Sequence, residues 1–520
     1  MQTLIELIDT QAKLRANDTY LSFCGRATSF GELQRRVRQA AGAFQRAGFS
    51  SDQRVAMMMG NSPLHAFAYM ALVALGCVVV EFSIHFRVSG IQLQLEDCDP
   101  HHVIVDTDFI EDFAAAMDGL GRAGPLTTLA SCNHPRALFL ALDDAEPTCE
   151  LPSPSLERVQ SISYTSGTTG RPKGVILTER FFQVGSKNAA LLADVRWGDV
   201  FFLWEPFYHV AAWMTFIAAL QHGVKVALVE RFSATHCWDQ IRQSGATLFH
   251  YLGGAMNILL KLPQSGRDAD NPVRIAWGAA APARSWREFE KRFNVAIREG
   301  YGISEAGNFT HLNVDGRVGS IGKPVDEFEA WIAADDGQRA PAGVIGEIVV
   351  KPKASNITMV GYFRNPERTA EVLREGCVFT GDLGYMDADG FFYYSGRKKD
   401  SLRRRGENVS AWEVERVINA HPSVEESAVI GVASDMGEQE IRVFVQLAPN
   451  QSLEPLNLIK WCERDLAYYQ IPRYIDFVAE FPRGPTQRIR KSDLPVALDA
   501  SWDLEHSGYK IRRGGLRTQS

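Results

Sequence analysis

The sequence predicts an α/β protein with a large N-terminal domain of layered α/β subdomains, a β-rich subdomain and a small α+β C-terminal domain. The length of 520 residues is too great for one ordinary core. Helical and strand patterns alternate up to about residue 310, which favours layers built on largely parallel sheets. A polar, basic stretch between two glycines interrupts the chain at 396–408, and a compact pattern of helices and strands follows it.

The N-terminal part shows both kinds of periodicity. Residues 30–48, FGELQRRVRQAAGAFQRAG, repeat apolar positions at helical spacing and end at a glycine. RVAMMMGNS at 54–62 and HHVIVD at 101–106 indicate buried strands. The apolar run 67–80 follows NSP, a typical helix start, and closes at Glu81. Because this run is short for a bilayer span, we predict a buried helix leading into a strand.

The pattern changes after residue 310. GEIVVKP at 346–352 and GFFYYSG at 390–396 indicate short strands separated by turn sequences, which predicts the β-rich subdomain. The last residues show little periodicity, and no structure is assigned to them. The predicted boundaries are an N-terminal domain at 1–395, a hinge at 396–400, a C-terminal domain at 401–495 and a tail at 496–520.

Composition excludes several classes of protein. The chain is 45% hydrophobic and 22% charged, and its net charge of -7 argues against a dedicated nucleic-acid binder. The cysteines are scattered without a CxxC pair, which is typical of reduced thiols rather than a disulfide framework or a zinc site. The N-terminus lacks the apolar core of a secretory signal. We therefore expect a cytoplasmic protein with no membrane span and no nucleic-acid partner.

The stretch with the most chemical information is YTSGTTGRPKG at 164–174. Its three glycines, four Ser and Thr hydroxyls and one lysine indicate a loop that binds an anion. It is not a Walker A motif, because Gly170 is followed by Arg171 and Pro172 before Lys173. On composition alone, an ordinary surface loop stays an alternative.

The order of these residues closely resembles the signature of the adenylate-forming (ANL) superfamily, which includes acyl-CoA synthetases, luciferases and nonribosomal-peptide adenylation domains. The region from residue 229 to 260 and on through YGISEAG most resembles the crotonobetaine/carnitine-CoA ligase group. Further stretches lie in the order and spacing of the superfamily across nearly the whole chain: FYHV (207–210), WGAAAP (277–282), YGISE (301–305), TGDLG (380–384), GRKKD (396–400) and PTQRIRK (485–491).

The resemblance implies a nucleotide site that uses ATP and Mg²⁺. Tyr301 would stack on adenine, Glu305 would coordinate Mg²⁺ together with Thr165, and Asp382 and Arg397 would bind the ribose. Oxygen ligands of this kind suit Mg²⁺, with phosphate and water completing the octahedron. The implied ATP- and AMP-binding residues are Thr165, Ser166, Gly167, Thr168, Thr169, Gly170, Lys173, Gly278, Ala279, Ala280, Tyr301, Gly302, Ser304, Asp382 and Arg397.

The implied reaction has two steps. ATP converts a carboxylic acid into an acyl-adenylate with release of pyrophosphate, and a thiol then displaces AMP to give a thioester. The resemblance implies Lys173, His209, Glu305 and Arg488 as catalytic residues, although a histidine such as His209 would otherwise read as an ordinary core or surface residue. The resemblance also implies that Lys399 is the hinge about which the small, mobile C-terminal domain rotates between the two steps.

The expected substrates are CoA and a small or medium acid, because several bulky rings surround the implied acyl pocket. The pocket residues are Trp204, His209, Trp213, Tyr251, Gly253 and Trp277. Arg404, Arg405 and Gly406 would line the CoA path, with a solvated basic face as the alternative. A separate carrier protein stays an alternative acceptor, and the protein is expected to be a monomer or a homodimer.

One motif departs from the superfamily pattern. Most members have PTGKxxK near the C-terminus, whereas this chain has Gln487 and Arg488 in place of the glycine and the lysine. Arginine keeps the charge but makes different contacts, and Lys491 is a weak candidate for compensation. Three hypotheses follow: Arg488 replaces the lysine, the first half-reaction is slowed, or the protein binds nucleotide without efficient adenylation.

Overall fold

The computed structural model describes residues 1–142, 150–165, 173–334, 336–398, 401–404, 407–433, 439–483 and 489–511. They fall into two compact units. The first comprises Met1–Ala330, Val349–Thr380 and Gly390–Phe392. The second comprises Trp331–Ile348, Gly381–Asp389 and the described residues from Tyr393 onward.

The helices of the described residues follow in chain order. They are α1 Leu4–Arg15, α2 Phe30–Arg46, α3 Pro63–Ala74, α4 Val88–Cys98, α5 Ile110–Gly119, α6 Glu179–Ala193, α7 Val210–His222, α8 Cys237–Ser244, α9 Gly253–Lys261, α10 Ala283–Phe293, α11 Pro366–Val372, α12 Ala411–Asn419 and α13 Pro455–Cys462. Short 3₁₀ helices lie at Thr107–Phe109 and Lys491–Asp493.

The strands alternate with these helices over the first three hundred residues. They are β1 Thr19–Phe23, β2 Arg26–Ser29, β3 Arg54–Met58, β4 Val78–Glu81, β5 His102–Val105, β6 Leu126–Thr128, β7 Ala137–Phe139, β8 Val159–Thr165, β9 Lys173–Thr178, β10 Val200–Leu203, β11 Lys225–Leu228, β12 Leu248–Leu252, β13 Ile275–Ala279, β14 Ala296–Tyr301, β15 His311–Asn313, β16 Lys323–Pro324, β17 Phe328–Ala333, β18 Gly346–Pro352, β19 Gly361–Tyr362, β20 Leu373–Arg374, β21 Cys377–Met386, β22 Phe392–Arg397, β23 Ser401–Arg404, β24 Glu407–Ser410, β25 Val424–Ala433, β26 Gln439–Leu447, β27 Tyr474–Val478 and β28 Trp502–Asp503.

Two large sheets organise the first unit. Sheet A has the order β16-β15-β14-β13-β12-β10-β11-β1-β2, and sheet B has the order β19-β9-β8-β4-β3-β5-β6-β7. From β14 through β13, β12, β10 and β11 to β1, neighbouring strands of sheet A are parallel. In sheet B the strands from β8 to β7 are parallel as well. The prediction of largely parallel sheets is confirmed.

The two sheets and their helices form layers. The largest core cluster joins side chains of both sheets to helices α1, α2, α3, α6 and α7. A second cluster covers the other face of sheet B with α4 and α5, and a third covers the other face of sheet A with α8, α9 and α10. Strand alternation divides neighbours between layers, since Phe201 belongs to the central cluster and Phe202 to the outer one.

The apolar run at 67–80 is a buried helix leading into a strand, as predicted. Helix α3 begins at Pro63, and the hydroxyl of Ser62 accepts a hydrogen bond from the His65 amide at 3.1 Å. Strand β4 follows at Val78. In the described part of the chain, no helix combines the length and the apolar character needed to cross a membrane.

The C-terminal part of the second unit packs two helices on a small sheet. Strands β25, β26, β27 and β28 form that sheet, and α12 and α13 share its core cluster. Strand β28 lies in the tail and pairs with β27 through Tyr474 and Asp503, which the missing periodicity did not predict. The short strands predicted at 346–352 and 390–396 correspond to β18 and β22.

A substitution on the buried face of α10 tests the assignment of the layers. Trp286 is fully buried in the outer cluster of sheet A, so Trp286→Ala should lower the free energy of unfolding by about 3–5 kcal/mol. Trp197 is 69% exposed and contacts the Arg15 guanidinium, so Trp197→Ala should cost less than about 1 kcal/mol. Urea unfolding followed by far-UV circular dichroism measures both. Equal losses in the two variants would contradict the layer assignment.

Candidate active site

Lys173 is the described cation of the glycine-rich loop. It begins β9 and pairs with Thr165, the last residue of β8. Ser166, Gly167, Thr168, Thr169 and Gly170 lie outside the described residues. The Lys173 ammonium lies over the ring of Tyr362, 5.8 Å from its centre. A cation in this position is attracted by the negative face of the ring.

The same tyrosine contacts the carboxylate that the sequence assigns to the metal. Glu305 lies in the turn after β14, and the Tyr362 hydroxyl donates a hydrogen bond to its Oε1 at 2.7 Å. Burial, and then the nearby Glu305 carboxylate, raise the pKa of Tyr362. The hydroxyl therefore stays protonated and remains a donor. The structure thus brings Lys173 and Glu305 to the two ends of one side chain.

The carboxylate of Glu305 fits a magnesium ion that arrives with nucleotide. Among the described residues, no group of three His, Cys, Asp or Glu side chains gathers into a complete metal site. Mg²⁺ is commonly held by one or two carboxylates, substrate phosphates and water, so a single carboxylate at Glu305 fits this ion. When bound, Mg²⁺ would offset negative charge on the phosphates of ATP. The side chain of Thr165, the other predicted metal ligand, is not described by the structure.

The small residues predicted beside adenine lie where two strands approach closely. A Cβ atom on Gly278 would lie 1.9 Å from the Tyr251 carbonyl oxygen. A Cβ on Gly253 would lie equally close, at 1.9 Å, to the carbonyl oxygen of Ala280. Ala280 itself has φ of +65°, a left-handed conformation that side chains rarely adopt. Ala279, the last residue of β13, lies between Gly278 and Ala280 in the sequence. The close approach explains why glycine occupies both positions.

Glu299 holds this segment in place. It lies on β14, opposite Gly278 of β13, and is 4% exposed. Its carboxyl group accepts hydrogen bonds from the amides of Ala280 at 2.5 Å and Ala281 at 3.1 Å. It also shares a hydrogen bond with the Tyr251 hydroxyl. Burial raises the pKa of Glu299 to about 8, partly opposed by these hydrogen bonds. The side chain is therefore largely a neutral acid at pH 7.

The predicted adenine residue lies at the end of the same strand. Tyr301 is 8% exposed, and its ring meets His311 edge-on with centroids 5.5 Å apart. A Cβ on Gly302 would lie 1.9 Å from the Asn308 carbonyl oxygen, so the turn that carries Ser304 and Glu305 requires glycine there. The side chain of Tyr301 thus lies beside a tightly packed turn.

The aromatic residues predicted for the acyl pocket occupy two kinds of position. Trp213, Trp277 and Tyr251 are buried in the core, at 2%, 0% and 0% exposure. Trp213 stacks between Tyr69 and Phe207, with ring centroids 3.6 and 4.5 Å away. Trp204 and His209 are partly exposed, in the segment that joins β10 to α7.

A buried acid-base pair lies beneath this segment. The side chains of Glu205 and His250 are 2% and 3% exposed and contact each other directly. The Asn61 amide holds the backbone here, donating to the Glu205 carbonyl oxygen at 2.8 Å. The Trp204 indole donates to the His250 carbonyl oxygen at 2.8 Å. Glu205 therefore has a partner inside the protein.

The predicted ribose residues meet within the second unit. The Arg397 guanidinium lies 3.2 Å from a carboxylate oxygen of Asp382, which is 3% exposed. Glu347 accepts hydrogen bonds from the Gly381 amide and from the Lys398 ammonium, both at 2.9 Å. Residues 381–382 are thus connected to residues 397–398 directly, through Asp382 and Arg397, and indirectly, through Glu347. Lys399, the predicted hinge residue, lies outside the described residues.

Arg404 is not placed for the predicted CoA contact. It is 1% exposed, and its guanidinium lies 2.6 Å from Glu440. It also donates to the carbonyl oxygens of Tyr469 and Ile471. This burial argues against a phosphate contact at Arg404, and equally against the solvated face that was the alternative. Arg405, Gly406 and Arg488 lie outside the described residues.

Comparison with known proteins identifies the family. The model described as AMP-binding enzyme matches residues 8–363, and that of the AMP-binding enzyme C-terminal domain matches 413–488. The chain belongs to the AMP-binding enzyme family. It is 32% identical to a sulfoacetate–CoA ligase of Cupriavidus necator, with 95% of this chain and 97% of the relative covered. It is 28% identical to a crotonobetaine/carnitine–CoA ligase of Escherichia coli O7:K1, with 90% and 92% covered.

A solved structure of similar fold supports the architecture. The o-succinylbenzoate CoA synthetase of Bacillus subtilis, in complex with its acyl-adenylate, gives a TM-score of 0.84 over 95% of this chain and 98% of that one. At 23% identity this likeness concerns the fold. The predicted resemblance is confirmed: the chain is an AMP-forming acid–CoA ligase that works through an acyl-adenylate and uses ATP, Mg²⁺ and CoA.

Two residues of this AMP-binding enzyme were missed from the sequence. Glu299 precedes Tyr301 by two positions on β14, so strand alternation places both on one face and would have marked it. Tyr362 gives no such local signal. Its contacts come from β9 and from the turn after β14, and only the folded sheets bring these segments together.

Glu299 gives the enzyme a pH-dependent stability. Its folded pKa of about 8 is above the ordinary glutamate value of 4.5, so the stability that protonated Glu299 contributes is fully present below about pH 4.5 and is lost as pH rises to about 8. The slope approaches about 1.4 kcal/mol per pH unit for one proton. Glu299→Gln replaces the neutral acid with a neutral amide and should flatten this slope. Urea unfolding between pH 5 and 8 measures it.

Glu299→Ala serves as the contrasting variant. It leaves the amides of Ala280 and Ala281 without this acceptor, so it should lower stability at every pH, by about 1–3 kcal/mol. A Gln variant that kept the full wild-type slope would show that another group titrates.

Proposed function

We propose that this ligase activates a small or medium carboxylic acid and transfers it to CoA. The observation that carries the proposal is the close packing behind the strand ends of sheet A. The backbones at Gly253 and Gly278 lie too near their neighbours for even a Cβ. Trp213, Trp277 and Tyr251 are already buried in the core. A long acyl chain would need a channel through these layers, whereas a short acid needs only the space at the edge.

The charge of the pocket argues against an acid with a quaternary ammonium group. A permanent cation of that kind needs a carboxylate or an aromatic cage that faces it. Three of the predicted pocket rings, Trp213, Trp277 and Tyr251, are instead buried in the core. Glu205 is the acidic residue of the pocket stretches, and it is buried against His250. The two named relatives act on acids whose second ionic groups differ in sign, a sulfonate in sulfoacetate and a trimethylammonium in crotonobetaine or carnitine. We therefore propose an acid without a trimethylammonium group.

The proposed roles are those that the family resemblance implies, and the contacts of Lys173, Glu305 and the Asp382–Arg397 pair support them. Lys173 would bind the triphosphate, and Glu305 would hold Mg²⁺. Tyr301 would contact adenine, and Asp382 and Arg397 would bind the ribose hydroxyls. His209 would lie beside the acid carboxylate, and Arg488 would take the place of the family lysine. These assignments give one phosphate cation, one metal carboxylate and one carboxylate cation, which is what attack of a carboxylate on ATP requires.

A substrate panel tests the proposal. Purified protein with ATP and Mg²⁺ should release pyrophosphate with short aliphatic or aromatic acids, and adding CoA should yield AMP and a thioester. Crotonobetaine and carnitine should give little release, and palmitate none. Acyl-AMP that accumulates without transfer to CoA would instead favour a separate carrier protein. ATP binding with no turnover on any acid would contradict the proposed function.

Arg488 is tested by a conservative change. Arg488→Lys restores the residue that most superfamily members have, so acid-dependent pyrophosphate release should equal or exceed that of the wild type. Arg490 provides a matched control, because it pairs with Asp493 at 3.1 Å, and Arg490→Lys should leave the rate unchanged. Complete loss of release in Arg488→Lys alone would show that the site is built around a guanidinium.

A further inference from the structure

Tyr362 is held rigidly between two parts of the nucleotide site. It lies on β19, which pairs antiparallel with β9 through Tyr362 and Val175. Its amide donates to the Thr369 hydroxyl at 2.8 Å. The next residue, Phe363, donates its amide to the Gly174 carbonyl oxygen at 2.8 Å. With 7% exposure, the ring of Tyr362 has little freedom to move.

We propose that Tyr362 is a positioning residue that sets the affinity of the site for Mg²⁺-bound ATP. The inference rests on the roles proposed above for Lys173 and Glu305. The Tyr362 hydroxyl donates a hydrogen bond to Glu305 Oε1 and thereby fixes the orientation of the carboxylate. The face of its ring attracts the Lys173 ammonium, which lies 5.8 Å from the ring centre. One side chain thereby sets the distance between the metal carboxylate and the phosphate cation.

The hydroxyl matters because Mg²⁺ tolerates little distortion. The ion demands near-octahedral geometry, so a carboxylate that can rotate binds it less well than one held by a hydrogen bond. Groups that orient a metal ligand typically change metal affinity by about 10- to 100-fold when they are removed. The ring acts separately, because attraction between a cation and an aromatic face does not require the hydroxyl.

Two substitutions separate these contributions. Tyr362→Phe keeps the ring beneath Lys173 and removes the hydrogen bond to Glu305. Tyr362→Leu removes both. The matched control is Tyr509→Phe, because the Tyr509 hydroxyl also donates to a carboxylate, that of Glu463, at the same 2.7 Å.

The measurement is ATP binding by titration calorimetry at a series of Mg²⁺ concentrations, with AMP as a second ligand. In Tyr362→Phe the Mg²⁺ concentration that gives half of the maximal ATP affinity should rise by about tenfold. AMP affinity should be unchanged, because AMP lacks the phosphates that Mg²⁺ and Lys173 would bind. Tyr362→Leu should in addition weaken ATP binding in the absence of Mg²⁺. Tyr509→Phe should match the wild type throughout.

A purely structural role would give different results. It would weaken AMP and ATP equally, and such a result overturns the proposal, as does a wild-type Mg²⁺ midpoint in Tyr362→Phe. In a Glu305→Gln background, Tyr362→Phe should cause no further Mg²⁺ shift, and an additive shift also overturns it. Wild-type protein that binds Mg²⁺-bound ATP but turns over no acid would sink the proposed function alone, since this binding experiment needs no acid.

Discussion

The hydrogen bonds of the buried Glu299 carboxyl group hold together the end of sheet A at which the nucleotide residues are predicted. It joins three neighbouring strands, because it lies on β14, accepts the amides that follow β13 and meets Tyr251 of β12. Ala280 adopts a left-handed conformation at this point. An acceptor for its amide offsets the cost of that conformation. The hydroxyl of Tyr251 has one proton and two acceptors within reach, Glu299 and the Arg298 carbonyl oxygen. A protonated Glu299 satisfies both contacts.

The second constraint comes from sheet B. Strand β19 is only two residues long, yet it pairs with β9 at the start of the strand that carries Lys173. Without that pairing Tyr362 would have no fixed position between Lys173 and Glu305. Glu305 follows β14 of sheet A, and Lys173 begins β9 of sheet B. The distance between these two side chains therefore depends on how the helical layer between the sheets fixes their separation.

Much of the fold followed from local sequence signals. The helix at Pro63 was predicted from its cap and its apolar run. The nucleotide residues were predicted from the order of their motifs, and their roles stay predictions. For Arg404 the sequence predicted a place on the CoA path, with a solvated basic face as the alternative, whereas the structure buries this side chain. Alternation along β23 buries Leu402 and Arg404, and Glu440 of β26 compensates the charge. Tyr362 was missed because its two partners are distant in sequence. Predicted roles at Lys399 and Arg488 stay predictions.

Burial sorts the carboxyl groups on and beyond the strands of sheet A into different chemical roles. Glu299 is neutralised by keeping its proton, because burial raises its pKa to about 8. Glu205 is equally buried, and His250 compensates it. Glu305 is the least buried of the three, and a single tyrosine hydroxyl orients it. A divalent cation placed near Glu299 or Glu205 would have to displace a proton or a histidine. At Glu305 it would only have to join a carboxylate already held in position, which supports the metal role proposed for that residue.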